Sequence, residues 1–352
     1  MKSILLISNF LFANGHGSKT VCEELAERLV VEGTNVITTS RKAARLPRLF
    51  DMLRTVWSRR HDYQIAHVAV FSGPAFIWAE ACCGLLRRLN KPYVLTLHGG
   101  NLPVFAQANA DRVRRLLESA QSVLSPSGYL QESMSMYRTD VRLMENALDL
   151  HRYSFRLRRC AKPSLIWLRS FHEIYNPTLA PRVLKLIADQ FPEAHLTMVG
   201  PDKKDGSLEK TKKLARDLCV EKQVTFVGGI RKDEVPNWLA RADIFLNTST
   251  IDNTPVSVLE ALACGLCVIS TEVGGIPFLL KKEHDALLVP VGDADAMSSA
   301  VCRILDEPGL AEKLSGNARS KAEELDWSVI LPKWKKVLRL STDESAVPSC
   351  AA

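Results

Sequence analysis

The sequence predicts an α/β protein of two domains, each a largely parallel sheet covered by helices. Three observations carry that expectation. The chain has 352 residues, enough for two cores of ordinary size. Short apolar runs bounded by turn residues alternate with longer amphipathic stretches, the pattern of parallel strands joined by crossover helices. That alternation breaks once, in an arginine-rich segment near the middle, and then resumes. Hydrophobic residues make up 46% and charged residues 24%, which excludes a disordered chain. No apolar run approaches the roughly 20 residues that a spanning helix needs.

In the first half the strand candidates are Ile4 to Ile7, Val36 to Thr38, Ile65 to Val70, Tyr93 to Leu97, Ser122 to Leu124 and Arg142 to Met144. Between the first two, Lys19 to Glu32 reads as an amphipathic helix, with Val21, Leu25 and Leu29 at spacings of four. The opening MKSILLISNFLF also has the single Lys and apolar run of a short leader. Ser8 and Asn9 interrupt that run and no small-residue cleavage pattern follows, so it is expected to be a first strand and the protein to be cytoplasmic. Nine Cys without regular spacing fit a reducing compartment.

The aperiodic stretch NALDLHRYSFRLRRCAKPS marks the linker, placed at 149–164, between a first domain at 1–148 and a second at 165–325. Leu165 to Leu168, Leu196 to Val199, Val224 to Val227, Ile244 to Leu246, Cys267 to Ile269 and Ala286 to Val289 are the second set of strands. DWSVILPKWKKVLRL predicts a helix over 326–341, and 342–352 reads as a flexible tail.

The net charge is +7, and residues 1–150 hold 18 basic against 13 acidic side chains. Such an excess points to a phosphate-bearing ligand or an acidic membrane surface. Nucleic acid is not expected, for the chain lacks zinc-finger spacing, a basic zipper and an aromatic RNA-binding motif.

FLNTSTIDNTPVSVLEALACG, residues 245–265, carries the most chemistry. A strand feeds a loop, and the loop meets a helix expected to start near Pro255, with Thr254 as its N-cap and Gly265 at its end. A helix N-terminus at the carboxyl end of a parallel strand offers N–H groups and a positive dipole end to a diphosphate. Glu260, about one and a half turns further on, suits the two hydroxyls of a ribose. Asp252, in the loop, is placed to reach the sugar beyond the phosphates. Glu260 is the lone charge in VSVLEALA, and a buried carboxylate is costly without a partner. The expected partner is the ligand.

At these residues the chain resembles the retaining GT-B glycosyltransferases of family 4 type, the group of glycogen synthases, sucrose synthases and bacterial lipid mannosyltransferases. Their hallmark is an acid, seven residues, then Glu, followed by A-x-A-x-G and a downstream Gly-Gly-x-Pro. Asp252 and Glu260 bracket NTPVSVL, ALACG follows, and VGGIP ends at Pro277. LTLHGG places His98 where the group has a His near the donor sugar. ENALDL resembles the group's entry to the linker, TMVGPD its second-domain Gly turn at Gly200, and VTFVGGI the segment that receives the base around Ile230. Arg169 matches the basic residue that faces the phosphates.

The resemblance implies two Rossmann-like domains facing a cleft, with a nucleoside diphosphate sugar as donor and neither cofactor nor metal. His98, Asp252 and Glu260 would be catalytic. Gly17, Arg169, Gly200, Ile230, Asn253, Thr254, Val256 and Ser257 would join Glu260 in holding the donor. It implies retention at the anomeric carbon and an acceptor hydroxyl on a lipid-linked or growing polysaccharide chain.

Several residues depart from the group's pattern. Asp252 stands for Glu, and Tyr175 occupies the place of a second phosphate-facing cation. Pro255 removes a backbone donor, and the first loop has Gly15 and Gly17 separated by His16. A nucleotide-sugar epimerase and a non-catalytic glycosyltransferase-like subunit remain alternatives on this architecture. GHGSKT is not a P-loop, since Ala13 and Ser18 stand where Gly is required. Asp293 and Asp295 read as a helix start rather than a metal site, and Cys264 and Cys267 as a helix end and a buried strand rather than a redox pair.

RKAARLPRLFDMLRTVWSRR, residues 41–60, has seven basic residues and one acid, Asp51. Leu46, Leu49, Phe50, Leu53, Val56 and Trp57 are expected to form one apolar face ringed by Arg. That is the composition of a helix lying on an anionic membrane, here at the cytoplasmic face, and equally of a crossover helix with a solvated basic side.

Overall fold

In a computed structural model, which describes residues 3–10 and 20–339, two six-stranded sheets are each parallel throughout. The first contains β1 (Ser3–Ile7), β2 (Asn35–Thr38), β3 (Ile65–Val70), β4 (Tyr93–Leu97), β5 (Ser122–Ser125) and β6 (Arg142–Leu143). Its order is β2-β1-β3-β4-β5-β6. Around it lie α1 (Val21–Val31), α2 (Arg45–Ser58), α3 (Phe76–Arg88), α4 (Leu102–Ala108), α5 (Ala110–Glu118) and α6 (Gly128–Ser135).

The second sheet contains β7 (Ser164–Leu168), β8 (His195–Val199), β9 (Val224–Gly228), β10 (Ile244–Asn247), β11 (Cys267–Thr271) and β12 (Ala286–Val289), in the order β12-β11-β10-β7-β8-β9. Its helices are α7 (Leu179–Ile187), α8 (Ser207–Asp217), α9 (Val235–Ala240), α10 (Val256–Ala263), α11 (Ile276–Leu279), α12 (Ala294–Asp306) and α13 (Leu310–Glu323). A last helix, α14 (Trp327–Val337), ends the described chain. The twelve strands lie where the apolar runs predict them. β12 is buried along its whole length and reads as an unbroken apolar run rather than an alternating one, and β3 and β11 are buried throughout although His67, Ser270 and Thr271 interrupt theirs.

α1 starts in a capping box that the helical periodicity alone does not announce. Thr20 Oγ1 accepts from Glu23 N at 3.2 Å and Glu23 Oε2 accepts from Thr20 N at 2.8 Å. This anchors the end of α1 that faces the second domain.

α14 returns to the first domain. Trp327, Ile330, Leu331, Trp334 and Leu338 pack with Ile4, Leu6, Leu25 and Leu29 in one buried cluster. Leu148 and Trp327 hydrogen-bond through their backbones, tying the start of this helix to the segment that leaves the first sheet.

The apolar face expected over 41–60 splits in two. Val56 is buried against the first core, beside Met52 from outside that face, and Leu49 and Leu53 are half-buried, whereas Leu46, Phe50 and Trp57 are 80%, 71% and 54% exposed. Nor do all seven basic residues ring the helix. Arg48 is buried, donating to the carbonyls of Lys42 and Ala43 and to Asn9 Oδ1. The tail 342–352 lies outside the described residues.

Candidate functional site

Open parallel sheets bind ligands beyond the carboxyl ends of their strands, where the strand order reverses. In the second sheet that point lies between β7 and β10, which are direct neighbours. Arg169 follows β7 at once, and the loop carrying Asp252 follows β10. Topology therefore brings together two residues that lie far apart in sequence.

Arg169 is fixed from several sides. Its N–H donates to Val199 O at 3.1 Å, and a Cβ at Gly200 would collide with its carbonyl, so glycine is needed where β8 passes. The guanidinium lies over the ring of Tyr175, 4.1 Å from the centroid, and Nη2 donates to Asp252 Oδ2 at 2.6 Å. Nε is buried with no partner among the described residues. Tyr175 thus takes the place of a second cation with an aromatic shelf beneath the first.

The Asp252–Asn253 backbone is held down by the VGGIP turn. Gly275 N donates to Asp252 O at 3.1 Å, and a Cβ at Gly274 or Gly275 would strike the carbonyls of Asp252 or Asn253. Asn253 Oδ1 accepts from Ser127 Oγ of the first domain. Thr254 does not cap the helix, contrary to the local sequence signal. Its hydroxyl donates across the cleft to Pro126 O at 3.1 Å, α10 begins at Val256, and Pro255 provides no side-chain cap. The first turn, with Val256 half-buried, therefore opens on the cleft. Within it Ser257 Oγ is buried and has no partner among the described residues. A buried hydroxyl and a buried guanidinium N–H without a partner among the described residues are donors that an anionic oxygen can accept from.

At the opposite end of α10 two arginines meet the exposed carbonyls. Arg158 is fully buried and donates to Cys264 O, while Arg319 Nη1 donates to Ala263 O at 3.0 Å. Cations at that end complement the helix dipole, whose positive end faces the cleft.

Glu260 is buried, and its partner within the chain overturns the expectation that the ligand is its sole partner. Tyr153 OH donates to Glu260 Oε1 at 2.7 Å. Burial raises the carboxyl above its ordinary range, against a pull downward from the Lys232 ammonium. Lys232 in turn pairs with Glu24 of α1 at 2.7 Å, across the cleft. Thr20, Glu24, Tyr153, Lys232 and Val256 line one cavity of about 370 Å³. Ile230 is half-buried and packs against the cluster that contains Tyr153 and Val258.

His98 follows β4, and its N–H continues the ladder to Val70 O at 2.8 Å. The ring stacks on Phe71 with centroids 5.0 Å apart, and burial pushes the imidazole down to about 4, so it is neutral at neutral pH. Behind it His67, pushed down to about 3, shares a 2.7 Å hydrogen bond with Thr96. The loop after His98 touches the second domain. A Cβ at Gly100 would lie 3.2 Å from Ile251 Cγ2 and 3.4 Å from the Asp252 backbone.

The fold brings Arg169, Gly200 and Asp252 into contact, ties Asn253 and Thr254 to the first domain, and sets Val256 on the cavity that Tyr153 lines. Ser257 and Glu260 follow Val256 in the same helix, Ile230 packs with its core, and His98 lines a separate small cavity. Gly17 lies outside the described residues. Sequence reasoning missed Tyr153, Lys232 and Ser127. Tyr153 sits in an aperiodic linker with no local signal, while Ser127 is legible as the N-cap of α6 but not as a partner of Asn253. Among the described residues no three of His, Cys, Asp and Glu converge as a metal site. Asp293 caps α12 through Ala296 N at 2.8 Å.

Residues 161–321 match the family described as Glycosyl transferases group 1, and residues 3–152 match Glycosyltransferase Family 4. A D-inositol 3-phosphate glycosyltransferase of Streptomyces bingchenggensis is 31% identical over 34% of this chain and 26% of its own length. The Escherichia coli UDP-Gal:alpha-D-GlcNAc-diphosphoundecaprenol alpha-1,3-galactosyltransferase is 28% identical over 51% of this chain and 43% of its own. The chain thus spans less than half the length of these relatives. Among solved structures, sucrose-phosphate synthase from Thermosynechococcus elongatus superposes with a TM-score of 0.78 at 20% identity, covering 97% of this chain and 99% of that one. HepE of Anabaena, solved with UDP and glucose, superposes at 0.76 and 16% identity over 97% and 100%. With both halves of the chain matched and the whole fold superposed, the protein belongs to the glycosyltransferases of family 4 type and has their GT-B fold.

Proposed function

We propose that this enzyme moves a sugar from a nucleoside diphosphate sugar to an acceptor hydroxyl, with retention at the anomeric carbon and without a metal. The observation that carries this reading is a pair of buried polar atoms without a partner among the described residues, Arg169 Nε beside Asp252 and Ser257 Oγ in the first turn of α10. The solved complexes of HepE with UDP and with UDP-glucose support the donor class.

Charge builds on the leaving diphosphate as its bond to the anomeric carbon breaks. Arg169 and the first-turn N–H groups of α10 stabilise that charge from fixed positions. The acceptor oxygen bonds to the same face of the sugar, and its proton passes to the departing phosphate oxygen. No separate base is required. Neutral His98, with Asp252, orients the sugar, and Ile230 lies beside the base.

The test is a thermal-shift screen with UDP, GDP and ADP, followed by product analysis with the matching sugar donors, with and without acceptors. One nucleotide should raise the melting temperature, and the glycosylated product should require acceptor and survive EDTA. Free isomerised sugar nucleotide without acceptor would make the protein an epimerase, and no stabilisation by any nucleotide would leave a non-catalytic subunit. Inhibition by EDTA reversed by magnesium would overturn the metal-free mechanism.

A second reading concerns the acceptor. Exposed Leu46, Phe50 and Trp57 recur on one side of α2 at intervals of four and seven, beside a basic face. No helix among the described residues is long and apolar enough to cross a membrane. A helix that docks on the anionic cytoplasmic leaflet suits an acceptor embedded there. The E. coli relative, named for a diphosphoundecaprenol-linked acceptor, supports that class.

A further inference from the structure

We propose that Tyr153, on the linker between the domains, is a positioning residue that holds Glu260 in the rotamer whose Oε2 receives the ribose hydroxyls of the donor. The proposal rests on the reading of Glu260 as the ribose acceptor.

Tyr153 is 3% exposed and packs in the core that contains Val258 and Leu259 of α10. A buried phenol needs an acceptor and a buried carboxylate needs donors, so the 2.7 Å bond between them satisfies both. It satisfies the carboxylate incompletely, because an ionised carboxylate accepts at about four sites. Oε2 has no partner among the described residues.

The linker backbone that carries the phenol is itself tied down on both sides. Leu150–Arg152 form a single 3-10 turn, closed by Tyr153 N to Leu150 O at 3.0 Å. Leu150 N donates to Asp326 Oδ2 at 3.1 Å, and neighbouring Asp149 pairs with Arg28 of α1. Few rotamers are left to a ring fixed in this way. Tyr153 also lines the cavity that Val256 enters from the first turn of α10. The carboxylate held by Tyr153 therefore lies on the side of the cleft where a ribose attached to a diphosphate at that helix would lie.

A tyrosine that only satisfies a buried charge and one that aims it make different predictions. The nucleotide bound most tightly by the wild type among UDP, GDP and ADP is titrated calorimetrically into wild type and Tyr153→Phe, alongside its 2′,3′-dideoxy form. Tyr153→Phe should weaken the ribonucleotide roughly ten- to a hundredfold, the range for one hydrogen bond to a charged group, and leave the dideoxy form unchanged. Equal losses for both would make the tyrosine merely structural, and no loss for either would remove its role. A wild type that binds both forms alike would instead sink the ribose reading of Glu260. One that binds none of the three nucleotides would overturn the site and this proposal together.

Acid pH gives a second readout. Tyr153 and Arg152 of the linker, Lys232 after β9 and Glu24 of α1 act on Glu260, and all but Glu24 favour its charged form. Ribose-dependent binding is complete above the Glu260 pKa and disappears as pH falls through it. Losing the phenol should move that loss to higher pH, a shift that packing damage alone does not produce.

Discussion

Arg169 meets Asp252 at 2.6 Å, yet its Nε stays buried without a partner among the described residues. In the proposed complex a phosphate oxygen would accept from that N–H. Arg169→Ala should therefore weaken nucleoside diphosphate binding by about 1.5–3 kcal/mol, the value of a charge-assisted hydrogen bond, while nucleoside binding hardly changes. Arg169→Lys should recover only part of the loss, since an ammonium lacks the planar fork and stacks less well on Tyr175. Calorimetry with diphosphate and nucleoside decides it, and equal losses would remove Arg169 from the phosphates. At this scale the sequence is legible where a residue contradicts its surroundings. Glu260 stands out as one charge in an apolar helix, and the partner that the fold supplies, Tyr153, lies 107 residues earlier. Thr254 shows the opposite failure. Its cap preference is a local rule, and the carbonyl that wins its hydroxyl, that of Pro126, is 128 residues away.

The strands are legible because parallel sheets bury both faces, which leaves apolar runs bounded by turns. α2 is legible as a helix, but its orientation is not, since its apolar residues cover more than the sheet requires. The structure divides them into Met52 and Val56 inside and Leu46, Phe50 and Trp57 outside. Arg60 lies over the Trp57 ring at 4.8 Å, next to the basic residues Arg54 and Arg59. The outer stripe is expected to bind liposomes that contain anionic lipid, and to bind less as salt rises. Charge reversal at Arg54, Arg59 and Arg60 should abolish co-sedimentation, and Phe50→Ser should reduce it. Arg48 is the informative control, because it is buried and its replacement should harm folding rather than the membrane face. A protein that ignores anionic vesicles at low salt has a soluble acceptor, and α2 is then an ordinary crossover helix.

At the scale of the molecule, the last helix among the described residues stabilises the first sheet. The helical period of DWSVILPKWKKVLRL is readable, but its docking partner is not, because an apolar stripe does not say which domain it covers. Trp334 is 4% exposed, meets the His67 ring edge-on at 5.3 Å, and shares a cluster with Ile4, Leu6 and Ile65 from β1 and β3. Around it Lys333 pairs with Glu145 and Lys335 with Glu32, but exposed pairs of this kind contribute little. The apolar contact should dominate. Trp334→Ala removes a large buried ring and should destabilise the protein by about 3–5 kcal/mol, read from the denaturant midpoint. The position of the damage tests the topology more sharply than its size. Hydrogen exchange should quicken in β1 and β3, while amides of β10 and β11, whose core does not include Trp334, keep their protection. If β10 and β11 lose protection equally, the two domains unfold as one unit, and α14 acts on the whole molecule rather than on the first domain alone.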